Sequence, residues 1–536
     1  MGAAMDTSDL VPAELRARWR ADGVVPDVDL FTLFRRRAEA DPEKVAVIDD
    51  RGSTSYGELL GLANRIAGWL RSVGTGRGDV VGVQLPNAAE ACAADLAIAA
   101  IGAVCVPFPV LYRHNEVRSL LSRTGAAVFF CGRRTRDFDH AEMARELQPE
   151  LPALRQVAVL GEPHPAWASL DEVLAGPDPG SPDVKVAPSD PLRVIVSSGT
   201  EAAPKTMLYS HDSVAGIVNL LVYARLDGDG RMMLLPPLST GFGALGTFGA
   251  VARCGSTLIV SSAFDPARTF KLMERERATH LFAVPTMLSM MVAAGSGGAD
   301  LSTLRVVASF GSAITESQVR EVLETFRSPF INGYGCTDGA ISMTGWDDPP
   351  ERIATTVGRP NPTISSIRIL GTDGDEVAND EEGEICARGP MSPLRYFNAP
   401  ELDDRYRFDG GWVRTGDLGV VDDEGYLRVT GRKKDIIVRG GYNISPAEIE
   451  NAVVRHPSVV TAAVIGYPDE RLGERICACV TIKGGSPAPT LVELTALCEA
   501  GGLARNKHPE RLEVLDEMPL NPTGKILKRV LRERFG

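Results

Sequence analysis

Val194-Ile195-Val196-Ser197-Ser198-Gly199-Thr200-Glu201-Ala202-Ala203-Pro204-Lys205 is the stretch on which the reading of this chain turns. Three β-branched residues predict a strand, which runs into hydroxyl side chains, a glycine and a Pro-Lys pair. Small residues let backbone N–H groups approach phosphate oxygens, hydroxyls add donors, and Lys205 supplies a point charge. The common nucleotide loop, with a second glycine before Lys-Ser/Thr, does not match, because Pro204 stands in that place. A Gly/Ser turn alone is usually only a turn, so its neighbours must carry the weight. Outward from it, apolar runs alternate with amphipathic stretches, which predicts α/β architecture. Residues 45–49 and 80–85 read as strands around a helix over 55–73, and 96–108 reads as a core helix running into a strand. Residues 281–284, 306–309 and 330–332 are further short strands, each followed by Gly or Pro. Residues 161–190, rich in Pro, Gly and Asp, read as a surface connection. Asp422-Asp423-Glu424-Gly425 lies between apolar runs and signals a hairpin.

The 536 residues exceed one ordinary domain. Lys+Arg 57 against Asp+Glu 70 gives −13, a balance that disfavours nucleic-acid backbones and anionic lipid while allowing a local site for a small anion. No run reaches the length of a membrane span, and the N-terminus lacks a basic region followed by an apolar one, so a cytoplasmic protein is expected. Nine cysteines, an odd number, fit reduced thiols. Cys477 and Cys479 share one face of a predicted strand over 476–482, and no further Cys/His pair with ligand spacing follows, so zinc is not expected. From Lys434 onward there are 14 basic and 13 acidic residues, net +1, against 43 and 57, net −14, in the remainder. This suggests a large acidic domain, 1–433, joined to a small domain, 434–536, that brings cationic groups to a shared cleft.

Four later stretches give the loop its meaning. Tyr334-Gly335-Cys336-Thr337-Asp338, Arg414-Thr415-Gly416-Asp417, Gly431 to Asp435 with Gly440 to Glu450, and Asn521-Pro522-Thr523-Gly524-Lys525 follow it in order. Together the five resemble the ordered motifs of the adenylate-forming (ANL) superfamily, which includes acyl- and aryl-CoA synthetases, peptide-synthetase adenylation domains and luciferases. The resemblance implies a large N-terminal domain of α/β subdomains with mixed sheets, plus a small mobile C-terminal α+β domain. It implies an acid–thiol ligase using ATP, Mg²⁺ and coenzyme A.

Residue by residue, the resemblance puts Ser198, Gly199, Thr200 and Lys205 on the ATP phosphates, and Thr337 on the α-phosphate. Tyr334, preceded by Gly333, would stack on adenine, with Gly311, Ser312 and Ala313 opposite and Asn332 at its edge. Asp338 would ligate Mg²⁺. Asp417 would hold the ribose, because one carboxylate accepts from two adjacent hydroxyls, and Arg432 would reach the same region. Lys525 would be the mobile catalytic lysine. Its position before an apolar stripe of Ile526, Leu527, Val530 and Leu531, read as the terminal helix, runs against the helix-dipole preference. Lys434 would be the hinge, and Gly440-Gly441 would line the pantetheine tunnel.

The chain departs from the family's pattern at Glu201 (usually Thr), Thr206 (Gly) and Asp338 (Glu), and Ser239-Thr240 stand where an aromatic–His pair is common. Residues 234–250 contain no acidic side chain to pair an ammonium group, which argues against an α-amino acid substrate. Phe242, Gly243, Phe282 and Val284 suggest an apolar slot for an aryl, alicyclic or medium acyl carboxylate. The expected partners are a small carboxylic acid and CoA, or a carrier protein's phosphopantetheine; a homodimer is compatible with the sequence. Loading of a carrier, a luciferase-like oxidation and a non-catalytic acyl-nucleotide sensor are the alternatives.

Overall fold

The computed structural model describes residues 5–196, 205–311, 314–521 and 525–536. Two eight-stranded sheets make the bulk of it. In one, parallel strands Val104–Pro107, Val80–Gln84, Val128–Gly132 and Gln156–Leu160 are extended by Pro191–Val196, which pairs parallel to Val104–Pro107 and antiparallel to Thr206–Ser210. In the other, Phe330–Cys336, Val306–Phe310, His280–Ala283, Arg231–Leu234, Thr257–Ile259 and Val45–Asp49 run parallel in that order. The expected strands are thus present, and both sheets carry antiparallel edges, as a mixed sheet does.

Local chemistry explains the helices between them. Tyr56–Ser72 begins with a capping box in which the Ser55 hydroxyl accepts from the Glu58 N–H while the Glu58 carboxylate accepts from the Ser55 N–H. Helix Ala89–Ala100 is buried at all twelve positions and packs against strands of both sheets. Seven of its residues are alanine, so backbones approach closely on every side. Residues 161–190 are more ordered than a surface connection, since Ala168–Ser169 extends the first sheet and Leu170–Ala175 forms a short helix capped by Ser169.

A third sheet holds Ser366–Leu370, Gly383–Arg388, Trp412–Val421 and Leu427–Arg432. The last two strands form the expected hairpin, with Gly425 at φ +84° in its turn. A turn of 3₁₀ helix, Lys433–Asp435, then leads into a fourth sheet built on Ile437–Arg439, Tyr442–Ile444, Val459–Asp469, Gly473–Ile482 and Arg511–Leu515. Cys477 and Cys479 lie on one buried face of it, their sulfurs 4.0 Å apart, and among the described residues no cluster of three His, Cys, Asp or Glu could hold a metal.

The terminal helix is shorter than its apolar stripe. It spans Lys528–Phe535, so Ile526 and Leu527 precede it, and Leu531 alone is buried. Leu531 is 1% exposed and packs with Ala463, Ile465, Cys477, Cys479 and Leu515. Leu531→Ala should therefore cost about 2–5 kcal/mol. The check is the urea midpoint at which Cys477 and Cys479 become reactive to a thiol reagent; an unchanged midpoint would show that the helix is not docked by this side chain.

Candidate active site

Several parallel strands of both sheets end on one cleft of about 830 Å³. Val284 and Gly311 directly follow strands His280–Ala283 and Val306–Phe310, and Cys336 ends Phe330–Cys336. The carboxyl ends of parallel strands are where open α/β sheets hold ligands. The third sheet adds Arg414, Asp417 and Arg432, and the C-terminal segment adds Asn521 and Lys525.

One end of the cleft is ionic. Lys205 leads into strand Thr206–Ser210 and sets its ammonium 3.5 Å from an Asp338 carboxylate oxygen and 3.6 Å from the centre of the Tyr406 ring. The Tyr396 hydroxyl donates to the same Asp338 oxygen. Burial pushes the Asp338 carboxyl above the usual range, while Lys205 and Tyr396 draw it back. The Thr337 carbonyl accepts from the Tyr209 hydroxyl at 2.6 Å, which fixes the turn carrying both residues. Thr206, in place of the expected glycine, is a strand residue 2% exposed whose backbone carbonyl accepts from the Phe397 N–H.

Asp417, 3% exposed on strand Trp412–Val421, accepts from the Tyr334 hydroxyl at 2.7 Å and pairs with Arg432 Nε at 2.8 Å. Burial raises the Tyr334 phenol well above its ordinary value, so it stays a donor. Lys525 is held by its backbone: its N–H donates to Asn521 Oδ1 at 2.8 Å, and its carbonyl accepts the Asn521 N–H at 2.8 Å. Its side chain reaches Gly311, where a Cβ would lie 3.9 Å from Lys525 Cε. Desolvation, and then the Arg432 charge, hold the Lys525 ammonium below the ordinary lysine value, with Asp417 opposing them.

The other end is apolar. Ile217, Leu220, Phe242, Leu245, Ile341 and Met391 line it, and the Phe242 ring meets Phe310 edge-on at 6.3 Å. Apart from Phe242, these side chains escaped the sequence reading, since helices, a strand and a loop far apart in sequence supply them. Tyr396 and Tyr406 were also missed; no local pattern marks a tyrosine that reaches the Asp338 carboxylate or the Lys205 ammonium from elsewhere in the chain.

Several residues expected at the site do not line the cleft. Phe282 is fully buried in the core beneath the cleft. Gly243 lies against the backbone, where a Cβ would be 1.6 Å from the Leu238 carbonyl oxygen. Gly333 sits under the Phe310 ring, 1.9 Å from where its Cβ would be. Asn332 is 5% exposed and donates both amide hydrogens, to the Ile353 and Thr356 carbonyls, so it braces the chain rather than facing a ligand. Gly440 and Gly441, at φ +59° and +84°, form the exposed two-residue turn of the hairpin from Ile437–Arg439 to Tyr442–Ile444, away from the cleft. Ser198, Gly199, Thr200, Ser312 and Ala313 lie outside the described residues.

Removing the Arg432 charge should let Lys525 titrate closer to an ordinary lysine, because a neighbouring cation disfavours the ammonium form. In Arg432→Gln, the pH profile of Lys525 acetylation by a mild acylating reagent, read by peptide mass spectrometry, should move to higher pH. A profile that stays in place would show that Arg432 does not act on Lys525.

Comparison with known proteins agrees with this geometry. The family model of the AMP-binding enzymes matches residues 34–397, and that of the AMP-binding enzyme C-terminal domain matches 448–525. A medium-chain fatty-acid–CoA ligase of Escherichia coli is 31% identical over 97% of this chain and 92% of its own length. A salicyl-AMP ligase / salicyl-S-ArCP synthetase of Mycobacterium tuberculosis is 33% identical over 98% of this chain and 94% of its own. The crystal structure of ATP-bound MatB from Rhodopseudomonas palustris superposes with a TM-score of 0.84 at 27% identity, covering 95% of this chain and 99% of that one. The chain belongs to the AMP-binding enzymes of the adenylate-forming superfamily and is an ATP-dependent ligase that activates a carboxylic acid by adenylation.

Proposed function

We propose that the chain is a carboxylic acid–CoA ligase that converts an apolar aryl, alicyclic or medium acyl carboxylate to its acyl-AMP and transfers the acyl group to the thiol of CoA. The observation that carries this reading is the polarity of the cleft, a cationic end beside an uncharged slot of Ile217, Leu220, Phe242, Leu245, Ile341 and Met391. A carboxylate is a poor electrophile; when its oxygen attacks the α-phosphorus of ATP and pyrophosphate leaves, the resulting mixed anhydride has AMP as a leaving group and its carbonyl carbon becomes attackable. The apolar slot would hold the hydrocarbon body and exclude water, leaving the carboxylate at the ionic boundary.

Within that reading Lys205 and Lys525 meet phosphate oxygens from two sides, and Thr337 bonds the α-phosphate. A lysine kept partly desolvated gains most when phosphate charge arrives beside it. Asp417, already fixed by Tyr334 and Arg432, takes the ribose hydroxyls, and Tyr334 offers its ring to adenine. Asp338 would hold Mg²⁺ together with phosphate oxygens, since a single buried carboxylate suits an ion that keeps most of its shell from water and substrate, and the ion would neutralise phosphate charge. The Gly440-Gly441 hairpin would reach the cleft for thioester formation only after rotation of the small domain at Lys434, in the turn Lys433–Asp435. The rival acceptor is a carrier protein, as in the name of the Mycobacterium tuberculosis relative, whereas the Escherichia coli relative is named for CoA.

The test is a panel of carboxylic acids assayed for acid-dependent pyrophosphate release, with and without CoA. Apolar ring and medium-chain acids should release pyrophosphate and yield CoA thioesters. Adenylate without thioester would favour the carrier. Lys525→Ala should slow adenylate formation by roughly 10²–10³-fold while thioester formation from supplied acyl-AMP stays within a small factor of wild type. Equal loss of both half-reactions would contradict the role given to Lys525.

A further inference from the structure

Beneath the apolar slot lies a polar network whose residues do not line the cleft. Arg193, fully buried on strand Pro191–Val196, donates through Nη1 to both Asp95 carboxylate oxygens at 2.8 Å. Its Nη2 donates to the Leu238 carbonyl at 2.7 Å. On the opposite side of that residue, the Leu238 N–H donates to Asn87 Oδ1 at 2.8 Å. Asp95, 4% exposed, also accepts from Thr247 Oγ1 at 3.2 Å, and Thr247 belongs to the π-helix Leu245–Cys254. The residues after Leu238 form the slot's wall, with Ser239, Thr240, Gly241, Phe242 and Leu245 all on the cleft. Gly243 closes against the same Leu238 carbonyl with no room for a Cβ, so the carbonyl has one place to be.

Replacing a buried ion pair by apolar residues is often neutral for stability, so this one is better explained by the geometry it fixes. The two ends of the cleft are also held differently. Strand Pro191–Val196 stays in its sheet through backbone bonds to neighbours on both sides, whereas the wall's own backbone bonds are local turns, such as Thr240 N–H to Pro237 and Gly243 N–H to Thr240, and side chains from elsewhere grip the N–H and C=O of Leu238. We propose that Asn87 and Arg193, the latter anchored by Asp95, are positioning residues that clamp Leu238 from both sides and thereby set the affinity and selectivity for the acid without contacting it. This rests on the reading of the apolar slot as the acid site.

Two variants of the full-length enzyme test the clamp: Asn87→Ala, at a half-buried position, and the double replacement Arg193→Met with Asp95→Leu, which removes both charges. Each should raise the KM for the acid by roughly tenfold, leave the KM for ATP within about twofold, and blur discrimination between acids of neighbouring size. Asn87→Asp, which keeps the acceptor for the Leu238 N–H, should restore the acid KM. Hydrogen–deuterium exchange over residues 238–245 should speed up in Asn87→Ala and in the double variant, and return to normal in Asn87→Asp. Acid and ATP KM values that rise together, or an acid KM unmoved in a folded variant, would overturn the proposal. Should the double variant fail to fold, Asn87→Ala and its rescue decide. If wild type activates no acid in the panel, the reading of the slot fails, and unchanged exchange over 238–245 would separately refute the clamp.

Discussion

The packing of helix Ala89–Ala100 between the two large sheets is the constraint on which the rest of the molecule depends. Every residue of it is buried, and its side chains are mostly single methyl groups, so its width fixes how near the sheets come. That spacing decides where the parallel strands end relative to one another, and so the width of the cleft. Asp95 is one of the two acidic residues on this helix, and its charge is met by Arg193 from the adjacent strand. The helix that separates the sheets thus also anchors the network beneath the apolar slot.

Electrostatics divides the cleft in a way the whole chain does not suggest. A protein of net charge −13 gathers Arg405, Arg414, Arg432, Lys433, Lys434 and Arg529 around one opening. Low-dielectric walls strengthen such a field, and the acidic residues within it are already engaged. Asp417 bonds Tyr334 and Arg432, Glu384 pairs with Arg414 and Lys433, and Asp338 meets Lys205 and Tyr396. Anions entering from solvent meet cations there, while the far wall is mainly hydrocarbon.

The substitution of aspartate for glutamate at 338 acquires a structural context that the motif could not supply. The shorter side chain is held between Lys205, just before one strand, and Tyr396 from another, 133 and 58 residues away in sequence. Thr206 in place of glycine lies beside the same tyrosine, its side chain buried and its hydroxyl donating to the Phe397 carbonyl at 3.4 Å. These departures belong to one region, the junction of strands Thr206–Ser210 and Arg395–Tyr396.

The sequence by itself determined the alternation of strands and helices, the hairpin at 422–425, the mixed α/β class and, through ordered motifs, the family. These features follow from periodicity, turn chemistry and short contiguous patterns, all local along the chain. It also singled out Lys205, Thr337, Asp338, Asp417, Arg432 and Lys525 through those motifs, and all six line one cleft. Only the tertiary structure decided which apolar residues face that cleft and which fill the core, because Phe282 and Phe242 look alike in sequence and differ only in what packs on them. It likewise placed Gly243, Gly333 and Asn332 off the cleft lining, packed against the Leu238 carbonyl, packed against the Phe310 ring, and bonded to the Ile353 and Thr356 carbonyls respectively. A side chain's type is written in the chain, but its partners are set by long-range packing, which one-dimensional patterns do not record.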